Sequence, residues 1–281
     1  MRRSIFIMAL IIGLLSAGCS TMQGWFGTVV DVATNNVTTI TNLVEVYKTT
    51  GDVRRAVVVS LTAVDPIAYQ GWAGDCPGTD VDGDVFAELC KEQGLDVVRL
   101  ANEQATKQDM LDACTKATAD MTNGGLFVLF ISGHGGQVPD LNGDEDDGMD
   151  ETLVMWDGEL TDDVMCELWQ KLPAGVRVFF VSDTCNSGSN FRAKPISARS
   201  FVPRNYTGQL IHFGGCADGK SSMGSASGGQ FTTALVDGWD PKMSYKEWYR
   251  ASSAKMPLDQ VPAYAEYGNV TASFRDAKAF R

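Results

Sequence analysis

Apolar residues in this chain come as short unbroken runs separated by stretches of helical spacing. Ala56-Val57-Val58-Val59-Ser60-Leu61, Val97-Val98-Arg99-Leu100, Leu126-Phe127-Val128-Leu129-Phe130-Ile131, Val176-Arg177-Val178-Phe179-Phe180-Val181 and Gln209-Leu210-Ile211-His212-Phe213 read as five strands. They are short and rich in β-branched and aromatic residues. Helical patterns lie over 85–93, 106–119 and 161–172, and two more over 231–236 and 245–254. Gly94 closes the first of them with a C-terminal stop signal. Runs that do not alternate are buried on both faces. Strands interleaved with helices therefore predict an α/β fold, a mainly parallel sheet with helices on both faces. In such sheets ligands bind at the carboxyl ends of the strands. His212, inside an apolar run, reads as a core residue.

The first 53 residues follow another pattern. Met1-Arg2-Arg3 is basic, Ile5 to Leu15 is apolar apart from Gly13, and Ser16-Ala17-Gly18 are small. This reads as an export signal over 1–18, too short to span a bilayer. Leu15-Ser16-Ala17-Gly18-Cys19 resembles a bacterial lipobox, which implies a lipid anchor on Cys19. Ser20 after it implies sorting to the outer membrane of the cell envelope. Residues 19–53 then form a leader. Its stripe of Val30, Ala33, Val37, Ile40, Val44 and Tyr47 has helical spacing and lacks the basic residues of a membrane-surface helix. Residues 54–281 form the main domain.

Composition narrows the partners. A formal net charge of −12 argues against nucleic acid, which is bound by neutralising phosphates, and suits basic peptides or metal ions. Of the seven cysteines, none forms a pattern with His or Cys that suggests zinc. Cys90, Cys114, Cys166 and Cys216 read as buried small hydrophobes, whereas Cys76, in a loop, is the candidate for a disulfide in an oxidising compartment.

Chemistry concentrates at two strand ends. The third strand runs into Ser132-Gly133-His134-Gly135-Gly136, and the fourth into Ser182-Asp183-Thr184-Cys185-Asn186-Ser187-Gly188-Ser189. If those strands are neighbours, His134 and Cys185 face each other across one cleft. A free thiol is mostly protonated at neutral pH, and an adjacent imidazole can take its proton and later return it to a leaving amine. The Gly135 and Cys185 amides could serve a developing oxyanion. No phosphate-binding loop, dinucleotide fingerprint or GxSxG elbow is present.

The segment Ser132-Gly133-His134-Gly135-Gly136-Gln137-Val138-Pro139-Asp140, with Gly143 to Glu151 after it, is similar to the His motif of type I metacaspases and their bacterial caspase-fold relatives. Asp183-Thr184-Cys185-Asn186-Ser187-Gly188 resembles their Cys motif, with Asn186 where His is usual. The separation, 185 − 134 = 51, is close to the caspase spacing of about 50. The resemblance implies a caspase-like three-layer sandwich. It also implies a cysteine endopeptidase that cuts after Arg or Lys with His134 and Cys185. Acidic residues would read the basic side chain: Asp183, and Asp82 in Gly78-Thr79-Asp80-Val81-Asp82, with Asp80 as the alternative and Thr79 in place of the usual Cys. The same aspartates could instead cap a helix. A calcium site is implied as well, with ligands at Asp150, Asp162 and Asp163 and Arg192 where a fourth acid is expected. The run from Asp140 to Glu151 mimics an EF-hand loop, but Glu145 stands where that loop needs Gly. The competing expectation is a non-catalytic lipoprotein that uses the fold as a binding module, because an exported thiol nucleophile risks oxidation.

Overall fold

The computed structural model describes residues 53–143, 145, 147–191, 206 and 208–281. The export signal, Cys19, the leader stripe and Arg192 lie outside the described residues. Among the described residues no helix is long and apolar enough to cross a membrane.

The chain runs β1 (Arg54–Ser60), α1 (Thr79–Glu92), β2 (Asp96–Ala101), α2 (Lys107–Thr118) and β3 (Leu126–Ser132). Three short strands follow: β4 (Gly135–Pro139), β5 (Met149–Met155) and β6 (Gly158–Thr161). Next come α3 (Asp162–Lys171), β7 (Arg177–Asp183) and β8 (Gln209–Gly214), then the small hairpin of β9 (Gly224–Ser225) and β10 (Gly228–Gly229). The chain ends with α4 (Gln230–Asp237), α5 (Tyr245–Ser253), β11 (Ala263–Gly268) and α6 (Ala272–Arg275). The main sheet has the order β11-β8-β7-β3-β1-β2. Of its five pairings four are parallel, and the edge strand β11 runs antiparallel on β8.

Burial on both faces explains the unbroken apolar runs. Val57, Val59, Phe127, Leu129, Val178 and Phe180 face a layer that includes Met110 and Cys114 of α2 and Met165 and Trp169 of α3. Their neighbours Ala56, Val58, Leu126, Val128, Phe179 and Val181 face Phe86 of α1, Phe231 of α4 and Trp248 of α5. Two helical layers thus enclose one sheet. The hydrophobic contribution is large, at roughly 1.5–3 kcal/mol per buried large side chain.

Three features differ from the pattern read along the chain. Helix α1 starts at Thr79, well before the expected 85, because Gly78 takes a left-handed conformation (φ 94°) that turns the chain into it. The β4-β5-β6 meander and the edge strand β11 were not expected. Finally, Cys76 is a free thiol, as are the other described cysteines, so no disulfide forms there.

Candidate active site

Strand order β2-β1-β3-β7 means that the chain leaves β1 toward one edge and returns on its other side. That reversal opens a crevice at the carboxyl ends of the strands. The register pairs Ser132 of β3 with Asp183 of β7. His134 and Cys185 each lie two residues beyond that pair, at the same edge. The loops touch: the Gly133 amide donates to the Asp183 carbonyl (3.3 Å), and a Cβ on Gly135 would stand 2.0 Å from the Cys185 carbonyl oxygen. Only glycine permits that approach.

His134 is held from several sides. Its carbonyl accepts from the Val154 amide of β5 (3.1 Å), and its Nε2 lies 3.2 Å from the Gly74 carbonyl. A carbonyl only accepts, so Nε2 carries the proton of the neutral ring and Nδ1 is left as the acceptor. The Trp72 ring lies 4.9 Å from the imidazole, tilted by 51°. Cys185 is half-buried, and the turn after it is fixed by Asn186. That residue has φ 50°, a left-handed conformation that asparagine tolerates better than most. Its Oδ1 accepts from the Gly219 amide (2.9 Å) and its own amide donates to the Lys220 carbonyl (3.1 Å). The departure from the usual His therefore has a local structural use.

Beside the two loops lies a cavity of about 140 Å³, lined by Asp75, Cys76, Asp82, Ser132, Asp183 and Ser222 among others. Asp82 and Asp183 are buried and stand either side of Gly229, whose Cβ position would fall 3.0 Å from one carboxylate and 2.3 Å from the other. Asp82 accepts from the Ser132 hydroxyl and the Gly229 amide, both at 2.7 Å. Asp183 accepts from the Ser222 hydroxyl (2.5 Å) and from the Thr232 amide (3.0 Å) and hydroxyl (2.7 Å). Burial, followed by the neighbouring Asp183 charge, raises Asp82 to about 6, and burial raises Asp183 as well. Burial and the same carboxylates push the Cys76 thiol up to about 11. Two carboxylates that resist ionisation together favour a cation between them. Asp80 is exposed in the first turn of α1 and does not line the cavity.

The acidic residues beyond β4 bring one of the expected metal ligands together with two glutamates. Carboxylate oxygens of Glu145, Glu151 and Asp162 lie within 4.8 Å of one another. Of Asp150, Asp162 and Asp163, only Asp162 belongs to that group. Asp163 instead accepts a hydrogen bond from the Asn142 side chain, and Asp150, though buried, stands outside the three. Asp162 is 1% exposed, and its Oδ2 has no hydrogen-bond partner. Burial first, and then Glu145, Glu151, Asp150 and Asp163, raise it to about 9. Clustered hard oxygen donors of this kind fit calcium. Glu151 also accepts from Gln137 of β4 (3.2 Å) and from Ser189 of the Cys185 loop (2.7 Å).

Sequence reasoning did not single out Gly74, Trp72, Ser132, Ser222 or Thr232, and it weighed Glu145 and Glu151 only as positions of an EF-hand-like run. Gly74, Trp72, Ser222 and Thr232 enter through tertiary folding of segments distant in sequence, whereas Ser132, at a strand end beside His134, was a readable signal.

The sequence profile of the caspase domain matches residues 54–274. Metacaspase-1 of Schizosaccharomyces pombe is 43% identical over 95 residues, which is 31% of this chain and 22% of that protein. Metacaspase-1 of Yarrowia lipolytica is 38% identical over 105 residues, 34% and 23% of the two chains. The chain thus spans about a fifth of the length of these relatives. A crystal structure of a protein from Geobacter sulfurreducens superposes with TM-score 0.72 at 32% identity, covering 81% of this chain and 98% of that one. Caspase-1 of Spodoptera frugiperda, at 15% identity and TM-score 0.55, covers 80% of this chain and 90% of its own and shares the fold.

Proposed function

The chain belongs to the caspase-domain family, and from that premise we propose that it is a cysteine endopeptidase cutting after Arg or Lys with a His134–Cys185 dyad. The observation that carries this reading is the contact of the two loops at Gly135, beside a cavity floored by two buried carboxylates.

In the proposed reaction His134 Nδ1 takes the Cys185 thiol proton as the sulfur attacks the scissile carbonyl. The Gly135 and Cys185 amides stabilise the oxyanion. The tetrahedral intermediate collapses, His134 delivers the proton to the leaving amine, and a thioester remains on Cys185. Water, deprotonated by His134, then hydrolyses the thioester and restores the thiol. The Gly74 carbonyl keeps the imidazole in the tautomer this requires. A guanidinium or ammonium in the cavity would meet Asp82 and Asp183 through charge-assisted hydrogen bonds.

Calcium belongs to the same proposal. Glu145, Glu151 and Asp162 would hold it, and it would neutralise their clustered charge. Export and a lipid anchor on Cys19 would place the enzyme in the cell envelope, facing basic peptides or proteins.

Purified protein assayed with fluorogenic peptides ending in Arg, Lys or Asp tests the reading. Turnover of the Arg and Lys peptides is expected, and Cys185→Ala and His134→Ala should each lose at least about 10³-fold in kcat/KM. Full activity in Cys185→Ala, or no turnover by wild type with calcium present, would overturn it.

A further inference from the structure

We propose that Gln260 is a positioning residue for recognition of the basic substrate side chain, acting through Ser222 on Asp183. The inference rests on the peptidase reading above and extends it to a residue far from both sequence motifs. Gln260 lies between α5 and β11, in a loop that exposes Pro257, Leu258, Asp259 and Val261. Leu258 and Val261 are fully and two-thirds exposed, yet Gln260 is 2% exposed. A polar side chain buried out of an exposed loop needs partners. Gln260 uses its whole amide: Oε1 accepts from the Met223 amide (3.0 Å), and Nε2 donates to the Gly215 carbonyl and to Ser222 Oγ, both at 2.9 Å.

These partners dictate direction. A backbone amide only donates and a carbonyl only accepts, so the glutamine amide cannot be flipped. Ser222 Oγ already accepts a hydrogen bond from Nε2, and its single hydroxyl proton is directed to Asp183 Oδ1 at 2.5 Å. Asp183 Oδ2 is held separately by Thr232. The carboxylate is therefore fixed at both oxygens, one of them through Gln260. The Met223 contact also pins the lip of the cavity, since Ser222 and Met223 both line it. Gln260 touches neither His134 nor Cys185, so it acts on how a guanidinium or ammonium is held and not on bond cleavage.

The test is a cycle of Gln260→Met, Ser222→Ala and the double variant, read as kcat and KM on an Arg peptide, with melting temperature and circular dichroism to check folding. Each single variant should raise KM about tenfold, the scale of one charge-assisted hydrogen bond. The kcat should stay within about twofold, because the dyad is untouched. The double variant should be no worse than the singles, because both break one relay. Unchanged KM in folded Gln260→Met, or multiplying effects in the double variant, would overturn the role of Gln260 while leaving the peptidase reading intact. If Gln260→Met fails to fold, an unchanged KM in Ser222→Ala overturns the relay by itself. A wild-type protein that turns over no basic peptide overturns both.

Discussion

At Asp82 the fold and the proposed substrate make opposite demands on one proton. Burial and the Asp183 charge hold its folded pKa near 6, above the ordinary carboxylate value of 3.8. Because the folded value is the higher one, ionised Asp82 weakens the fold. Its contribution is most favourable below about pH 4 and is lost as pH rises through 6. A bound guanidinium reverses the demand by favouring the carboxylate. KM for an Arg peptide should therefore rise as pH falls below about 6, with kcat less affected. In Asp82→Asn, KM should be higher throughout and that limb should be missing. A pH profile of kcat and KM on both proteins checks this, and an identical acidic limb in the variant would count against the assignment. The motif residues at the strand ends were readable because types and spacing announce them. The partners that set their ionisation were not, because Gly229, Ser222 and Thr232 reach the cavity from segments remote in sequence.

Strands buried on both faces advertise themselves as unbroken apolar runs, which is why β1, β3, β7 and β8 could be read directly, whereas β2, at the sheet edge and half-buried or exposed, was marked by its β-branched residues. The β4-β5-β6 meander and β11 could not. Residues of β4 and β11 are half-buried or exposed, and β4 opens on two glycines, so neither alternation nor an apolar run marks them. That meander matters to the site, since β5 holds the His134 carbonyl and β4 begins at Gly135. Close approach of the two loops leaves no room for a side chain at Gly135, whose added Cβ would lie 2.0 Å from the Cys185 carbonyl. Gly135→Ala should force the loops apart and lower kcat/KM by about 10²-fold, since misplacement by about 1 Å carries that scale of penalty. The loss should fall mainly on kcat, with the fold retained by circular dichroism. Wild-type kcat in this variant would show that the loops need not touch for turnover.

On the scale of the whole molecule, the net charge of −12 is concentrated locally as well as spread over the surface. The buried oxygens of Glu145, Glu151 and Asp162 form one such concentration, and a divalent cation bound only by the folded state should raise its stability by mass action. Calcium at about 100 times its Kd would add about 2.7 kcal/mol, a rise of several degrees in Tm. Asp162→Asn should blunt that rise, and a calcium titration followed by thermal melting would read it. No shift in wild type at millimolar calcium would remove the cation from the account. Glu151 gives the cluster further reach, since its carboxylate is bonded on one side to Gln137, just after His134, and on the other to Ser189, just after Cys185. Two loops moored to a single side chain cannot drift independently. A disturbance there would tighten or slacken both banks of the cleft in step, so the spacing of His134 and Cys185 is governed from behind, by a residue that meets neither.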